Sequence, residues 1–228
     1  MTRRTRLHLP ALIVAGVLMA CAVVVLALSE NAEATFPGKN GGIAYSAFDF
    51  DRGPDDTIYT GNPGGGAKTQ LTRGYQPSYS PNGKKIAYTL FGGADSEIYT
   101  INVGGDAMTQ LTHNNKDEFT PDYSPHGKRI VYAGLEGLER NDAESDIYTI
   151  KAGGGGKTQV TNNDNVDDLH PSYSPDGKKI AYTRIISRDA GPPISDIYTI
   201  NTSGGGGKFP VTHTNALFES GPSWGSRP

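Results

Sequence analysis

Cysteine occurs once in the 228-residue chain, at Cys21, tryptophan once, at Trp224, and a single long apolar run stands out, from Leu9 to Leu28. Cys21 lies inside that run, so the rest of the chain has no disulfide and must be held by packing and backbone pairing. The formal net charge is only -3, which gives no electrostatic reason to expect a nucleic-acid partner. A content of 30 glycines and 15 prolines is compatible with disorder on composition alone. Their clustering between short apolar runs argues for turns instead.

Arg3, Arg4 and Arg6 precede the apolar run, and Ala32-Glu33-Ala34 places small residues where a signal peptidase reads. Residues 1–34 are therefore expected to be an export signal, with an uncleaved anchor as the alternative. Either puts the rest of the chain outside the cytoplasm. Thr2-Arg3-Arg4 is a poor twin-arginine signal, because Arg6 stands where such signals prefer an apolar residue. Leu18-Met19-Ala20-Cys21 is a poor lipoprotein box, because the apolar run continues to Leu28. The chain beyond residue 34 is long enough for one domain with a real core.

That domain is a repeat. PSYSPNGKKIAYT begins at Pro77, PDYSPHGKRIVYA at Pro121 and PSYSPDGKKIAYT at Pro171. SEIYTIN, SDIYTIK or SDIYTIN comes after each, then a glycine-rich stretch, then TQLT, TQVT or FPVT. The apolar runs are short, rich in isoleucine, tyrosine and threonine, and bounded by turn residues, the pattern of strands. Ser-Pro-x-Gly supplies a proline with φ near -65° and a glycine for positive φ, so it joins two antiparallel strands. Each unit predicts four strands: A (PSYS), B (KKIAYT), C (DIYTI) and D (TQLT). Repetition of such a unit is the signature of an all-β fold, a β-propeller.

The string PSYSPDGKKIAYT, with DIYTI and VT after it, closely resembles the propeller repeat of the TolB family, over residues 36–226. That family includes the periplasmic component of the Tol-Pal system and many exported bacterial proteins; a counterpart of the separate amino-terminal domain of TolB itself is not expected. The resemblance implies an extracytoplasmic protein that binds a protein or cell-envelope partner.

The first unit, with GGIAYSA, DTIYT and KTQLT, has no PSYS before it, whereas GPSWGS at residues 221–226 is an A strand with nothing after it. We expect the two ends to pair, giving four blades of four antiparallel strands: 41–72 plus 221–226, 76–112, 120–161 and 170–212. A closed monomer is the expected result, with two arcs joined into an eight-bladed ring as the alternative.

Catalytic motifs dissolve into this repeat. Gly221-Pro222-Ser223-Trp224-Gly225 matches G-x-S-x-G, but a nucleophile elbow leads into a helix, and Ser223 aligns with Ser78, Asp122 and Ser172. Gly153 to Thr158, GGGGKT, lacks the first glycine of a phosphate loop and runs into a strand. His113, His170 and His213 belong to three different units, without zinc-ligand spacing. For calcium, an oxygen-seeking ion, Asp49, Asp51, Asp55 and Asp56 are the candidates.

In a propeller the B–C and D–A loops share one face, and here they gather most of the acidic residues while the opposite turns gather lysines. These loops also vary in sequence and length, as binding loops on a rigid scaffold do. The expectation is an exported, non-enzymatic propeller that binds a protein, peptide or envelope component. Asp117, Glu118, Asp164, Asp167, Asp168 and His170 are the contacts. A propeller hydrolase or lyase, or a calcium-dependent module with its site at the central channel, is the alternative.

Overall fold

The computed structural model describes residues 41–48, 56–136, 144–186, 193–214 and 217–225, all strand, turn or irregular. Residues 1–34, the expected export signal, lie outside them. The first sheet is β1 (Ile43–Ala47), β2 (Thr57–Gly61) and β3 (Lys68–Arg73), paired in that order. The second is β4 (Tyr75–Tyr79), β5 (Lys85–Phe91), β6 (Ser96–Asn102) and β7 (Thr109–Gln110). The third is β8 (Glu118–Tyr123), β9 (Arg129–Glu136), β10 (Glu144–Lys151) and β11 (Thr158–Gln159). The fourth is β12 (Val166–Tyr173), β13 (Lys179–Ile186), β14 (Ile194–Asn201) and β15 (Phe209–Pro210). Each sheet is an antiparallel meander, and together they form a four-bladed β-propeller.

The A–B turns arise from their chemistry. Gly83, Gly127 and Gly177 take φ of 67°, 66° and 69°, where a side chain would be strained. The serine that opens each turn also closes it: Ser80, Ser124 and Ser174 accept from the backbone N–H of Lys85, Arg129 and Lys179 at 2.9, 3.0 and 2.9 Å.

Because each sheet lies between neighbours, both faces of B and C are apolar. The B-strand tyrosines Tyr88, Tyr132 and Tyr182 are 0 % exposed, as are Ile86, Ile130 and Ile180. Burying such a side chain contributes about 1.5–3 kcal/mol relative to leaving it in water. One cluster joins blades two and three through Ala87, Ile98, Leu111, Tyr132 and Tyr148, and another joins blades three and four through Val131, Ile147, Tyr173 and Tyr182.

The first blade differs from expectation. Among the described residues β1 pairs with β2 and with no A strand, and Ile43 is 50 % and Tyr45 37 % exposed where their counterparts are sealed. Residues 217–225 are instead bound to blade four. Phe218 bridges Ser195 in parallel, Glu219 N–H donates to Ser195 Oγ at 2.6 Å, and Trp224 Nε1 donates to Ser172 O at 3.1 Å. The physical reason is that an A strand is held by the blade before it as well as by its own B strand. This segment satisfies the first set of contacts and not the second.

Candidate functional site

Two places concentrate polar chemistry. The first is the axis. Gln76, Thr120, His170 and Gly221 each precede a proline and take φ of 54°, 53°, 50° and 68°. With Ser78, Asp122 and Ser172 they line an opening of about 330 Å³. For non-glycine residues this backbone is costly, of order 1–3 kcal/mol each, and neighbouring blades hold it. Gln76 Oε1 accepts from Thr120 N–H at 2.9 Å. Asp122, which replaces the serine of the other units, accepts from Ser78 Oγ at 3.1 Å and from Tyr173 N–H at 3.0 Å. Burial raises the Asp122 carboxyl above its ordinary range, opposed by these hydrogen bonds.

The second place is the loop face, where the D–A segments cross from one blade to the next. Backbone N–H groups of Ile98, Ile147 and Ile197 each donate to a threonine at the end of strand D, Thr112, Thr161 and Thr212, all at 2.8 Å. Asp117 and Asp167 reach back in the same way, accepting from Ser96 and Ser145 N–H at 2.8 and 3.0 Å. Asp168, 0 % exposed, sits in register opposite Arg184 and takes its guanidinium through two bonds of 2.8 Å, with Asn163 donating a third. Glu118 is the equivalent residue of blade three, but Gly134 stands opposite it.

With no arginine beside it, Glu118 is 1 % exposed and lies against Glu97 of blade two, itself 5 % exposed. Asn114 bridges them, donating its N–H to Glu97 and its side-chain amide to Glu118. Lys157 Nζ comes only to 3.9 Å of Glu118 Oε1. Glu97 Oε2 and Glu118 Oε2 meet no N–H or O–H donor of the described fold, so the two carboxyls can approach only by sharing a proton. Burial, then Glu97, pushes Glu118 up to about 8.

Of the six expected contact residues, Asp117, Glu118 and Asp167 are thus committed to junctions between blades, and Asp168 to an ion pair within blade four. Asp164 is exposed. His170 is half-buried, its Nδ1 is 3.2 Å from Ser220 Oγ, and burial lowers its pKa. His113 and His213 are exposed and sit in separate blades. Asp49, Asp51 and Asp55 lie outside the described residues; Asp56 enters β2, its carbonyl accepting from Gly74 N–H at 2.9 Å. Among the described residues no three His, Cys, Asp or Glu side chains are placed to hold a metal ion. Sequence reading treats Glu97 as one loop carboxylate among many. The signal of its role is Gly134, which occupies the position of Arg184.

A four-bladed β-propeller defines the class. Residues 65–227 match the model of the TolB beta propeller domain family, and the chain belongs to that family. A TolB from Agrobacterium tumefaciens superposes with a TM-score of 0.62 at 22 % identity, over 74 % of this chain and 60 % of that one. TolB from Acinetobacter baumannii gives 0.60 at 25 %, over 78 % and 42 %. The acylaminoacyl peptidase of Pyrococcus horikoshii gives 0.54 at 17 %, over 80 % and 31 %, a likeness of fold. The chain therefore spans about 60 % and 42 % of the two TolB structures. A search of curated proteins finds no match.

Proposed function

We propose that this is an exported, extracytoplasmic, non-enzymatic TolB-type propeller that binds a protein, peptide or cell-envelope component through the face carrying its B–C and D–A loops. The observation that carries the reading is the contrast between core and loops. Three successive blades repeat the same sealed isoleucine and tyrosine pairs at 0 % exposure. The loops on that rigid base differ in sequence and present polar groups that packing does not use, including Asp95, His113, Asn115 and Asp164. Function on loops above an invariant scaffold is the usual division of labour. Family membership supports a protein-binding role. Against catalysis, Ser223 of the G-x-S-x-G match is exposed, in a non-helical segment bound to blade four.

The test is affinity capture from an envelope extract, followed by direct binding of the captured protein to purified wild type and to Asp95→Asn/Asp164→Asn. Both substitutions lie off the junctions and preserve the fold. A several-fold weaker interaction of the variant is expected. Equal binding by wild type and variant would remove the acidic loops from the interface.

A further inference from the structure

Every C strand carries a tyrosine at one register position: Tyr59, Tyr99, Tyr148 and Tyr198. In three blades a cation covers that ring. Lys68 Nζ stands 4.6 Å from the centroid of Tyr59, Lys157 Nζ 4.1 Å from that of Tyr148, and the Arg184 guanidinium 4.7 Å from that of Tyr198. The lysines come from the position two residues before the strand D partner of that tyrosine, which reads Lys68, Met108, Lys157 and Lys208 along the four blades. Blade two has methionine there, 55 % exposed. Among the described residues no lysine or arginine stands over Tyr99.

In that place the structure has a cavity of about 480 Å³, lined by Asp95, Glu97, Tyr99, Gln110 and the His113–Asn115 segment. Its walls are negative. Asp95 and Glu97 both line it, Glu97 being 5 % exposed. Desolvation, then the charges of Glu97 and Asp95, raise the Tyr99 hydroxyl above its ordinary value. A cation over an aromatic face is attracted by the ring's quadrupole, more strongly when desolvated. Adjacent carboxylates add charge-assisted hydrogen bonds. We infer that the pocket beside Tyr99 binds a basic side chain, an arginine or lysine, presented by the partner of the loop face. This rests on the partner-binding reading above and supplies from another molecule the cation that the other three blades supply from their own chain.

The probes are acetyl-Gly-Arg-Gly-amide, its lysine counterpart and its citrulline counterpart, titrated into the ¹⁵N-labelled protein at low salt. A basic peptide should shift the amides of Gly92, Asp95 and Asn115, and the neutral citrulline peptide should not. Met108→Lys, at an exposed position, fills the slot from within and should weaken binding about tenfold, and Tyr99→Leu should weaken it comparably. Equal response to citrulline, or wild-type affinity in Met108→Lys, overturns the site. Absence of any shift while the captured envelope protein still binds wild type refutes the pocket and leaves the loop-face reading standing. Peptide binding together with capture indifferent to Met108→Lys overturns the assignment of the pocket to that partner.

Discussion

Replacing Glu118 by glutamine should make the protein more stable above neutrality and flatten its pH dependence. Glu118 is raised from 4.5 to about 8 by burial and by Glu97. Between those two values the folded state keeps a proton that the unfolded chain has given up. Stability therefore falls as pH rises through the window and is fully present below it. At about 1.36 kcal/mol per pKa unit, a shift of this size amounts to about 3–5 kcal/mol across the window. Glutamine keeps the shape, stays neutral, and offers an N–H to Glu97 Oε2. Urea unfolding of wild type and Glu118→Gln at about pH 5 and about pH 9 should give nearly equal stabilities at the lower value. At the higher value the variant should lead by about 3 kcal/mol. The difference between the two proteins cancels the contribution of His170, whose lowered pKa acts in the opposite direction. A wild type whose stability is flat or rising over this range, or a variant with the same slope, would refute the shared-proton account.

The same loop face carries two further outcomes. Arg184→Met leaves Asp168 buried without its guanidinium and should cost about 3–5 kcal/mol by chemical unfolding; a loss below about 1 kcal/mol would mean that solvent reaches the pair. Gly74 has φ of 133°, and a Cβ there would lie 2.6 Å from the Tyr88 ring and 2.7 Å from Thr89 O. Gly74→Ala should therefore destabilise by about 2–4 kcal/mol, read as a lowered melting temperature, and an unchanged melting temperature would show that β4 shifts to make room.

The architecture was legible because the repeat writes the same local chemistry several times. Ser-Pro-x-Gly fixes a turn, and the isoleucine and tyrosine strands need a neighbour on both sides, so blades can be read from residues 77–102 alone. Which blade holds residues 221–225 was not legible. The motif GPSW specifies an inner strand but not which of its two possible neighbours claims it, and Ser195, Ser172 and Thr183 of blade four hold the segment. The loop carboxylates look like a surface in the sequence because their spacing hides their register. Glu118 opposite Gly134 and Asp168 opposite Arg184 become meaningful only once β8 is paired with β9 and β12 with β13. Met108 carried its information openly, as the one departure from lysine in its column, but the reason to read it lay in the tyrosine across the strand.

The strained residues at the axis make each blade depend on its predecessor. Thr120 is held in its positive-φ state by Gln76 of the blade before it, and Asp122 of blade three carries both Ser78 behind and the Tyr173 backbone ahead. Ordering one blade thus lowers the cost of ordering the next, as in a one-dimensional cooperative chain. Opening should then begin at the margin, where β1 has no A strand beside it among the described residues, and run inward toward blade three. A partner gripping the loops between blades two and three would hold the element from which the rest of the molecule zips.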